Sequence, residues 1–340
     1  MSYKTLILRL TPSVVHLLVR DIYFVLRMLP NYLYDFRRFL KYSGLNKSRG
    51  YQNERAARST LFYHQVEKGL SLARPRPGFG MQIIPRLLDD VDAYIGTYGI
   101  TAPAPTAIAA LHSYVDFSNR VGHDATYVSN RLAQIEQRHS IATTTRDCWV
   151  GGIRHLSRSA LQKLRKNSFA ELFESRFSIR NFAGGLVPID DIRRAVGLAQ
   201  KTPSVCNRQS WRVHAFANTA SKEKLLSIQG GNRGFAEQVS TVLVVTAELG
   251  CFVEVGERYQ AWIDGGMFSM SLCLTLHDLG YGTCCLNWSK ERSTDRELHV
   301  AGEIPNSEQV IMLIAVGNLP EVFDVAMSFR PAVDHCLRVH

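Results

Sequence analysis

Apolar and polar residues in the second half of the chain follow two different periods, which predicts a mixture of strands and helices. Residues 211–217 (WRVHAFA) alternate as a half-buried strand does, and residues 239–247 (VSTVLVVTA) form the continuous β-branched run of a more buried strand. Residues 282–288 and 309–317 predict two further strands. Residues 261–280 are apolar almost all round, so they predict a helix that is buried on several sides.

Helical patterns account for most of the remaining chain. Residues 187–200 begin with a proline and two aspartates and continue with apolar residues at helical spacing, which predicts a helix. The first half of the chain also has mostly helical periodicity, including a run over residues 118–139. We therefore predict a mostly helical domain over residues 1–165 and an α+β domain over residues 166–340.

The first 45 residues contain an amphipathic pattern. Apolar residues recur at helical spacing at Val14, Leu18, Ile22, Val25 and Leu29. The simplest interpretation is a helix packed on the rest of its domain. A helix lying on an anionic membrane surface is the alternative, supported by Arg37, Arg38 and Lys41. Within these 45 residues, the longest run without Asp, Glu, Lys or Arg is residues 10–19. It is too short to span a membrane, and no signal-peptide cleavage pattern follows it.

Charge is distributed unevenly, which also indicates two modules. The chain of 340 residues has a net charge of +10, yet residues 1–170 hold 24 Lys and Arg against 11 Asp and Glu. This basic balance permits nucleic-acid binding, but no binding motif accompanies it, so we expect no nucleic-acid partner.

The seven cysteines have no regular spacing, and no CxxC or HExxH motif is present. This pattern favours thiols in a reducing cytoplasm and indicates no metal site. We expect Cys273, Cys284 and Cys285 to be small core residues. Ser204 and Cys206 resemble nucleophiles, but no base accompanies them in the sequence.

The stretch SRFSIRNF carries the first candidate binding residues. Arg176, Ser178 and Arg180 alternate, so in an extended segment their side chains point the same way. Two guanidinium groups with a hydroxyl between them would bind a phosphate or another anion. Alternating arginines on a solvated strand are the other interpretation.

The order of motifs after this stretch resembles the nitroreductase family of FMN-dependent oxidoreductases over residues 170–340. Arg-x-Ser-x-Arg is followed by a helix, Pro-Ser-x-x-Asn-x-Gln-x-Trp, two strands, a glycine-containing buried helix, Gly-x-Gly-Thr and a strand ending in Val-Gly-Asn-Leu-Pro. The resemblance implies a three-layer fold with a central, mainly antiparallel sheet flanked by helices. It also implies FMN as cofactor, NAD(P)H as electron donor and a homodimer with FMN at the interface.

The resemblance assigns roles to individual residues. Arg176 and Ser178 match positions that hold the FMN phosphate and ribityl chain, and Arg330 matches a basic residue that completes the phosphate site. Arg180 matches the residue that approaches the flavin N1/O2 edge, where a cation would stabilise negative charge. The segment that reaches FMN across the dimer interface comprises Pro203, Ser204, Asn207 and Gln209. Asn287 and Trp288 lie where the family offers backbone amides to the flavin N5/O4 region. No side chain is expected to act as a catalytic nucleophile.

The segment between the central strands and the long helix, residues 248–260, is shorter than the substrate cover usual in this family. We therefore expect the N-terminal domain to contribute to that cover. His64, Glu67 and Lys68 share one helical face and are its candidate substrate contacts, although they could simply pair with each other.

The function that the resemblance implies is ping-pong transfer of hydride or electrons from NAD(P)H, through FMN, to a small organic acceptor of the nitro, quinone or enone type. One alternative is a biosynthetic flavin dehydrogenase or reductase that acts on a larger or membrane-associated substrate. Another is a non-catalytic flavin-binding scaffold. We expect a cytoplasmic protein, with the N-terminal segment as the candidate for peripheral membrane contact.

Overall fold

The computed structural model describes residues 13–42, 52–146, 148–164, 168–252 and 255–340. It has the predicted α+β class, with helices on both faces of an antiparallel sheet and a helical region before it. Residues 1–12 and 43–51, and with them the ends of the N-terminal segment, lie outside the described residues.

The N-terminal region is helical, as predicted. Its helices are α1 (Ser13–Tyr42), α2 (Gln52–Leu70), α3 (Ile84–Tyr98), α4 (Ala104–Arg120), α5 (Thr126–Arg138) and α6 (Thr143–Arg146). Helices α2 to α5 share a core of fully buried side chains that includes Leu88, Leu111 and Leu132. The run over residues 118–139 is divided between α4 and α5 by a turn in which Gly122 has a φ of 69°, a left-handed conformation that favours glycine.

Helix α1 does not bury its apolar face where the structure describes its side chains. Ile22, Val25 and Leu29 are between 51% and 59% exposed, so the expectation that this face packs on the domain is wrong. Among the described helices, α1 included, none combines the length and the apolar character needed to cross a membrane.

The C-terminal region contains the strands β1 (Ile153–Ser157), β2 (Trp211–Phe216), β3 (Thr241–Glu248), β4 (Tyr281–Asn287), β5 (Glu308–Asn318) and β6 (Val322–Ala326). Strands β2, β3, β5 and β4 lie side by side in that order, and all three pairings are antiparallel. Each of these strands was predicted from its apolar pattern, to within two residues at either end.

Two helical layers cover this sheet. The helices of the region are α7 (Arg158–Leu164), α8 (Phe169–Glu174), α9 (Ile189–Ala199), α10 (Thr219–Gln229), α11 (Gln260–Asp278), α12 (Arg292–Ala301) and α13 (Val333–Cys336). Successive residues of β3 point to opposite faces. Leu243 joins the core under α9 and α11, whereas Val244 joins the core under α10 and α12. The central helix α11 packs on the sheet and also on α8 and α9, so it is buried on several sides, as predicted, but Trp262, Ile263 and Met267 leave one face exposed.

Strand β1 pairs with β6 in a separate two-stranded antiparallel sheet, and α2 packs against β6. This sheet connects the helical region to the C-terminal region. The small sheet joins β1, which precedes the predicted domain boundary between residues 165 and 166, to β6, which follows it. The boundary therefore stays a prediction.

Candidate functional site

The arginine-containing segment lies along the edge of β4. The backbone N–H of Ile179 donates a hydrogen bond of 2.8 Å to the carbonyl oxygen of Thr283, and Ser178 pairs with Thr283 in a parallel bridge. This extended conformation places Arg176, Ser178 and Arg180 on one side of the segment. The three side chains line one cavity.

The cavity has a volume of about 320 Å³, and its lining includes three arginines and one acidic residue. Its lining residues are Phe173, Glu174, Arg176, Phe177, Ser178, Arg180, Ala326, Met327, Ser328 and Arg330. Residues 326–330 reach the cavity because β6 ends beside it. The sequence patterns did not single out Phe173 or Met327, since neither belongs to a recognisable polar motif.

Two guanidinium groups of this arginine cavity are poorly satisfied within the protein. The Nε atom of Arg176 is buried and has no hydrogen-bond partner among the described residues. Arg180 is only 7% exposed, and its hydrogen bond to the carbonyl oxygen of Ser178 is long, at 3.5 Å. A buried N–H group without an acceptor is unfavourable, and an anionic ligand would supply acceptors to both guanidinium groups. The residues present therefore fit the phosphate of FMN.

Helix α2 adds a further cation near this cavity. Burial lowers the pKa of Lys68, and the positive charge of Arg180 lowers it further, so the ammonium group lies within electrostatic range of that guanidinium. Glu67 is fully buried; Oε1 accepts a hydrogen bond of 3.2 Å from the backbone N–H of Gly152, and Oε2 lies 3.3 Å from Nδ1 of His64. Lys68 thus lies near Arg180 without lining the arginine cavity, whereas Glu67 is engaged within the protein.

The opposite end of β4 carries Asn287 and, directly after the strand, Trp288. The four-residue step from Thr283 to Asn287 corresponds to roughly 13 Å along a strand. The indole N–H of Trp288 donates to Oδ1 of Asp295 at 2.7 Å, and this side chain is buried. The carbonyl oxygen of Asn287 accepts a hydrogen bond from Gln229. Trp288 can therefore offer a ligand its backbone but not its indole N–H.

The segment from Pro203 to Gln209 lies on α11, and none of its residues lines the arginine cavity. Cys206, Asn207 and Gln209 have φ values of 48°, 54° and 48°, in the left-handed region that residues other than glycine seldom adopt. The hydroxyl of Ser204 accepts a hydrogen bond of 2.9 Å from the backbone N–H of Gln209, which closes the segment into a turn. Asn207 and Gln209 are exposed at its tip.

The structure thus brings four of the predicted cofactor residues together, namely Arg176, Ser178, Arg180 and Arg330. The other predicted cofactor residues, in the turn at residues 203–209 and at the end of β4, do not line this cavity. Within the described part of the chain, no group of His, Cys, Asp and Glu residues is arranged to hold a metal ion.

Comparison with known proteins agrees with the motif order. The model of the nitroreductase family matches residues 173–231 and 220–318. YdgI of Bacillus subtilis strain 168, which is named as an NAD(P)H nitroreductase, is 24% identical over 213 residues, or 50% of this chain and 97% of YdgI.

Solved structures also align with about half of the chain. A nitroreductase family protein from Streptococcus pneumoniae TIGR4 is 20% identical, with 51% of this chain and all of that protein covered and a TM-score of 0.44. A protein of Exiguobacterium sibiricum 255-15, described as a nitroreductase and solved in complex with FMN, is 19% identical, with 51% and 98% covered and a TM-score of 0.44. The family model carries the assignment. Residues 173–318 match the model of the nitroreductase family, which confirms, for this part of the chain, the family predicted from the order of motifs.

Proposed function

We propose that this chain transfers hydride or electrons from NAD(P)H, through FMN, to a small organic acceptor of the nitro, quinone or enone type. The observation that supports this best is the arginine cavity, in which the buried Nε of Arg176 lacks a partner beside a nearly buried Arg180. A phosphate would supply acceptor oxygens to both guanidinium groups.

Different residues around β4 hold different parts of the cofactor. Arg176, Ser178 and Arg330 bind the phosphate and the ribityl hydroxyls. Arg180 stabilises negative charge at the N1/O2 edge of the ring, because a fixed cation there needs little reorganisation. Asn287 and Trp288 contribute backbone amides at the other end of the strand.

Bound FMN supplies the hydride acceptor and donor, and the protein supplies orientation and charge. The kinetic order is ping-pong, so that the oxidised nicotinamide leaves before the acceptor enters. No serine or cysteine is needed as a nucleophile.

Absorbance spectroscopy tests this proposal. The full-length protein should bind FMN, and its flavin absorbance should be bleached by NAD(P)H under anaerobic conditions. Arg176→Ala should weaken FMN binding at least tenfold, whereas Arg194→Ala, an exposed arginine on α9, should leave it unchanged. A protein that binds FMN tightly but is not bleached by either nicotinamide would favour a flavin-binding scaffold. Absence of FMN binding would overturn the proposal.

We further propose that the functional unit is a homodimer formed through the outward face of α11. Trp262, Ile263 and Met267 are 40% to 52% exposed on this face, and Gly266 between them has open space beside it. Exposed apolar patches of this kind mark protein interfaces. In such a dimer, Pro203, Ser204, Asn207 and Gln209 contribute to the flavin site of the partner.

Sedimentation equilibrium tests the dimer. Ile263→Glu should shift the protein to a monomer, whereas Val300→Glu, at an exposed position on the other face of the sheet, should not. A monomeric wild-type protein would contradict the proposal, and so would a dimer that Ile263→Glu leaves intact.

The N-terminal region is proposed to cover the substrate through His64 and Lys68, with Glu67 fixing the helix that carries them. Lys68→Met should raise the KM for the acceptor, and Lys201→Met, an exposed lysine outside the cavity, should not. Equal KM values for the wild type and Lys68→Met would show that this lysine does not contact the acceptor.

A second candidate function is the reduction or dehydrogenation of a larger or membrane-associated substrate by a cytoplasmic, peripherally bound protein. The exposed apolar face of α1 favours it, because an amphipathic helix with basic residues binds anionic lipid surfaces. The full chain should then co-sediment with phosphatidylglycerol vesicles at low salt, and Ile22→Glu with Leu29→Glu should abolish this binding. Equal behaviour of the wild type and the double variant would exclude membrane contact through this face.

A further inference from the structure

Two cysteines from neighbouring elements place their sulfur atoms in contact beside the arginine cavity. Cys273 on α11 and Cys285 on β4 have their Sγ atoms 3.5 Å apart. Cys273 is buried, whereas Cys285 is exposed, contrary to the expectation that it lies in the core. Cys284 is buried and points to the opposite face of the sheet, because successive strand residues alternate. Among these three thiols, Cys285 is the one that a small oxidant reaches from solvent.

The surroundings of the pair give the two thiols different reactivity. The hydrogen bond from Cys273, together with the positive charge of Arg176, lowers the pKa of Cys285 to about 7. The same hydrogen bond and burial raise the pKa of Cys273 well above its ordinary value, and burial raises the pKa of Cys284. Since the thiolate is the reactive form, Cys285 is the nucleophile near neutral pH and Cys273 is the thiol placed to react second.

We propose that Cys273 and Cys285 form an oxidation site, in which a hydroperoxide converts the dithiol into an intramolecular disulfide. With hydrogen peroxide, the thiolate sulfur of Cys285 attacks one peroxide oxygen and the O–O bond breaks. A sulfenic acid forms at Cys285, and the leaving hydroxide takes up a proton to give water. The sulfur of Cys273 then attacks the sulfenic sulfur, and the S–O bond breaks. The oxygen leaves as water with the proton of Cys273. With hydrogen peroxide, two electrons pass from the thiols to the oxidant and two waters form.

The reaction needs little movement. A disulfide has an S–S bond of about 2.05 Å, so the two sulfurs must approach by roughly 1.5 Å from their present separation. The bond would tie α11 to β4, next to the strand edge that carries the arginine segment. This oxidation site is independent of the proposed electron donor and acceptor.

Peptide mapping tests the oxidation site on the full-length protein. The protein is treated at pH 7 with one equivalent of hydrogen peroxide, its free thiols are blocked, and it is cleaved on the N-terminal side of aspartates. Cleavage before Asp278 separates the Cys273 peptide from the peptide that holds Cys284 and Cys285. We expect these two peptides to be recovered joined, with the loss of two hydrogens. Peroxide treatment that leaves them separate would overturn the proposal.

Three serine variants identify which cysteines form the disulfide. Cys285→Ser should abolish the linked peptides and slow thiol loss about tenfold. Cys273→Ser should leave a sulfenic acid at Cys285 that dimedone traps. The matched control, Cys284→Ser, should form the linked peptides at the wild-type yield. Linked peptides in Cys285→Ser at that yield, or their loss in Cys284→Ser, would contradict the assignment.

If a variant fails to fold, iodoacetamide labelling of the wild type still tests the proposal. Cys285 should be alkylated before Cys284, and the reverse order would refute the proposal.

Discussion

The backbone N–H of Val205 donates a hydrogen bond of 3.2 Å to Oδ2 of Asp264, a fully buried carboxylate in the first turns of α11. The other oxygen, Oδ1, accepts a hydrogen bond of 2.7 Å from the side chain of Gln260. One carboxylate on the central helix therefore holds the segment that contains the left-handed Cys206, Asn207 and Gln209. This contact offsets part of the cost of an unusual backbone conformation.

Removing this carboxylate should destabilise the fold. Asp264→Ala leaves the N–H of Val205 without its acceptor, and we expect the free energy of unfolding to fall by about 1–3 kcal/mol. Urea denaturation measures this difference. Glu297→Ala, at an exposed position on α12, is the control and should change stability little. Equal stability of the two variants would show that the Asp264 contact contributes nothing.

The two adjacent glycines of α11 should respond differently to alanine. A Cβ atom at Gly265 would lie 2.5 Å from Cγ1 of Ile311, whereas one at Gly266 would meet no atom within 4 Å. We expect Gly265→Ala to destabilise the protein by about 1–3 kcal/mol through overpacking. Gly266→Ala should be neutral or should stabilise the helix by up to about 1 kcal/mol. Thermal unfolding of both variants tests this, and equal melting temperatures would contradict it.

The stability of the protein should decline at high pH through Tyr281. Burial and the hydrogen bond from its hydroxyl to Asp191 raise the pKa of Tyr281 to about 12. Between pH 10 and 12 the unfolded chain has lost the tyrosine proton while the folded chain retains it, so stability falls as the pH rises. The contribution is complete below about pH 10.

Comparison with Tyr281→Phe isolates this effect from the other groups that titrate in the same range. The difference in the free energy of unfolding between the wild type and this variant should shrink from pH 9 to pH 11.5. A difference that is constant with pH would show that the phenol has the same pKa in both states.

Two neighbouring residues of the left-handed turn should differ in their effect on the cofactor. Asn207→Ala should lower the FMN content of the purified dimer, because Asn207 is exposed at the tip of the turn and is proposed to reach the partner's flavin. Cys206→Ala should leave FMN content and turnover nearly unchanged. Flavin absorbance per protein measures both. Loss of FMN in Cys206→Ala with retention in Asn207→Ala would reverse these assignments.

Much of the C-terminal fold was predictable because its signals are local. The β-branched run in β3 and the alternation in β2 depend on neighbouring residues, as does the spacing of Arg176, Ser178 and Arg180. The order of such motifs was sufficient to predict the family, and the family model matches the same part of the chain.

Other features depend on contacts between distant parts of the chain. The pairing of β1 with β6 joins residues about 170 positions apart, and neither short strand has a strong pattern of its own. The same pairing explains why Lys68 lies near Arg180, since α2 packs on β6.

The sequence by itself determined which residue types occur at which spacing, and hence the strands, the central helix and the arginine motif. The tertiary structure decided which of these residues meet, because packing acts across any distance along the chain. It buried Gly265 against Ile311 while leaving Gly266 open, and it exposed Cys285 while burying Cys284. It also left the described apolar face of α1 uncovered. Amphipathic spacing does not reveal this, because the spacing shows only that one face of a helix is apolar and not which surface covers it.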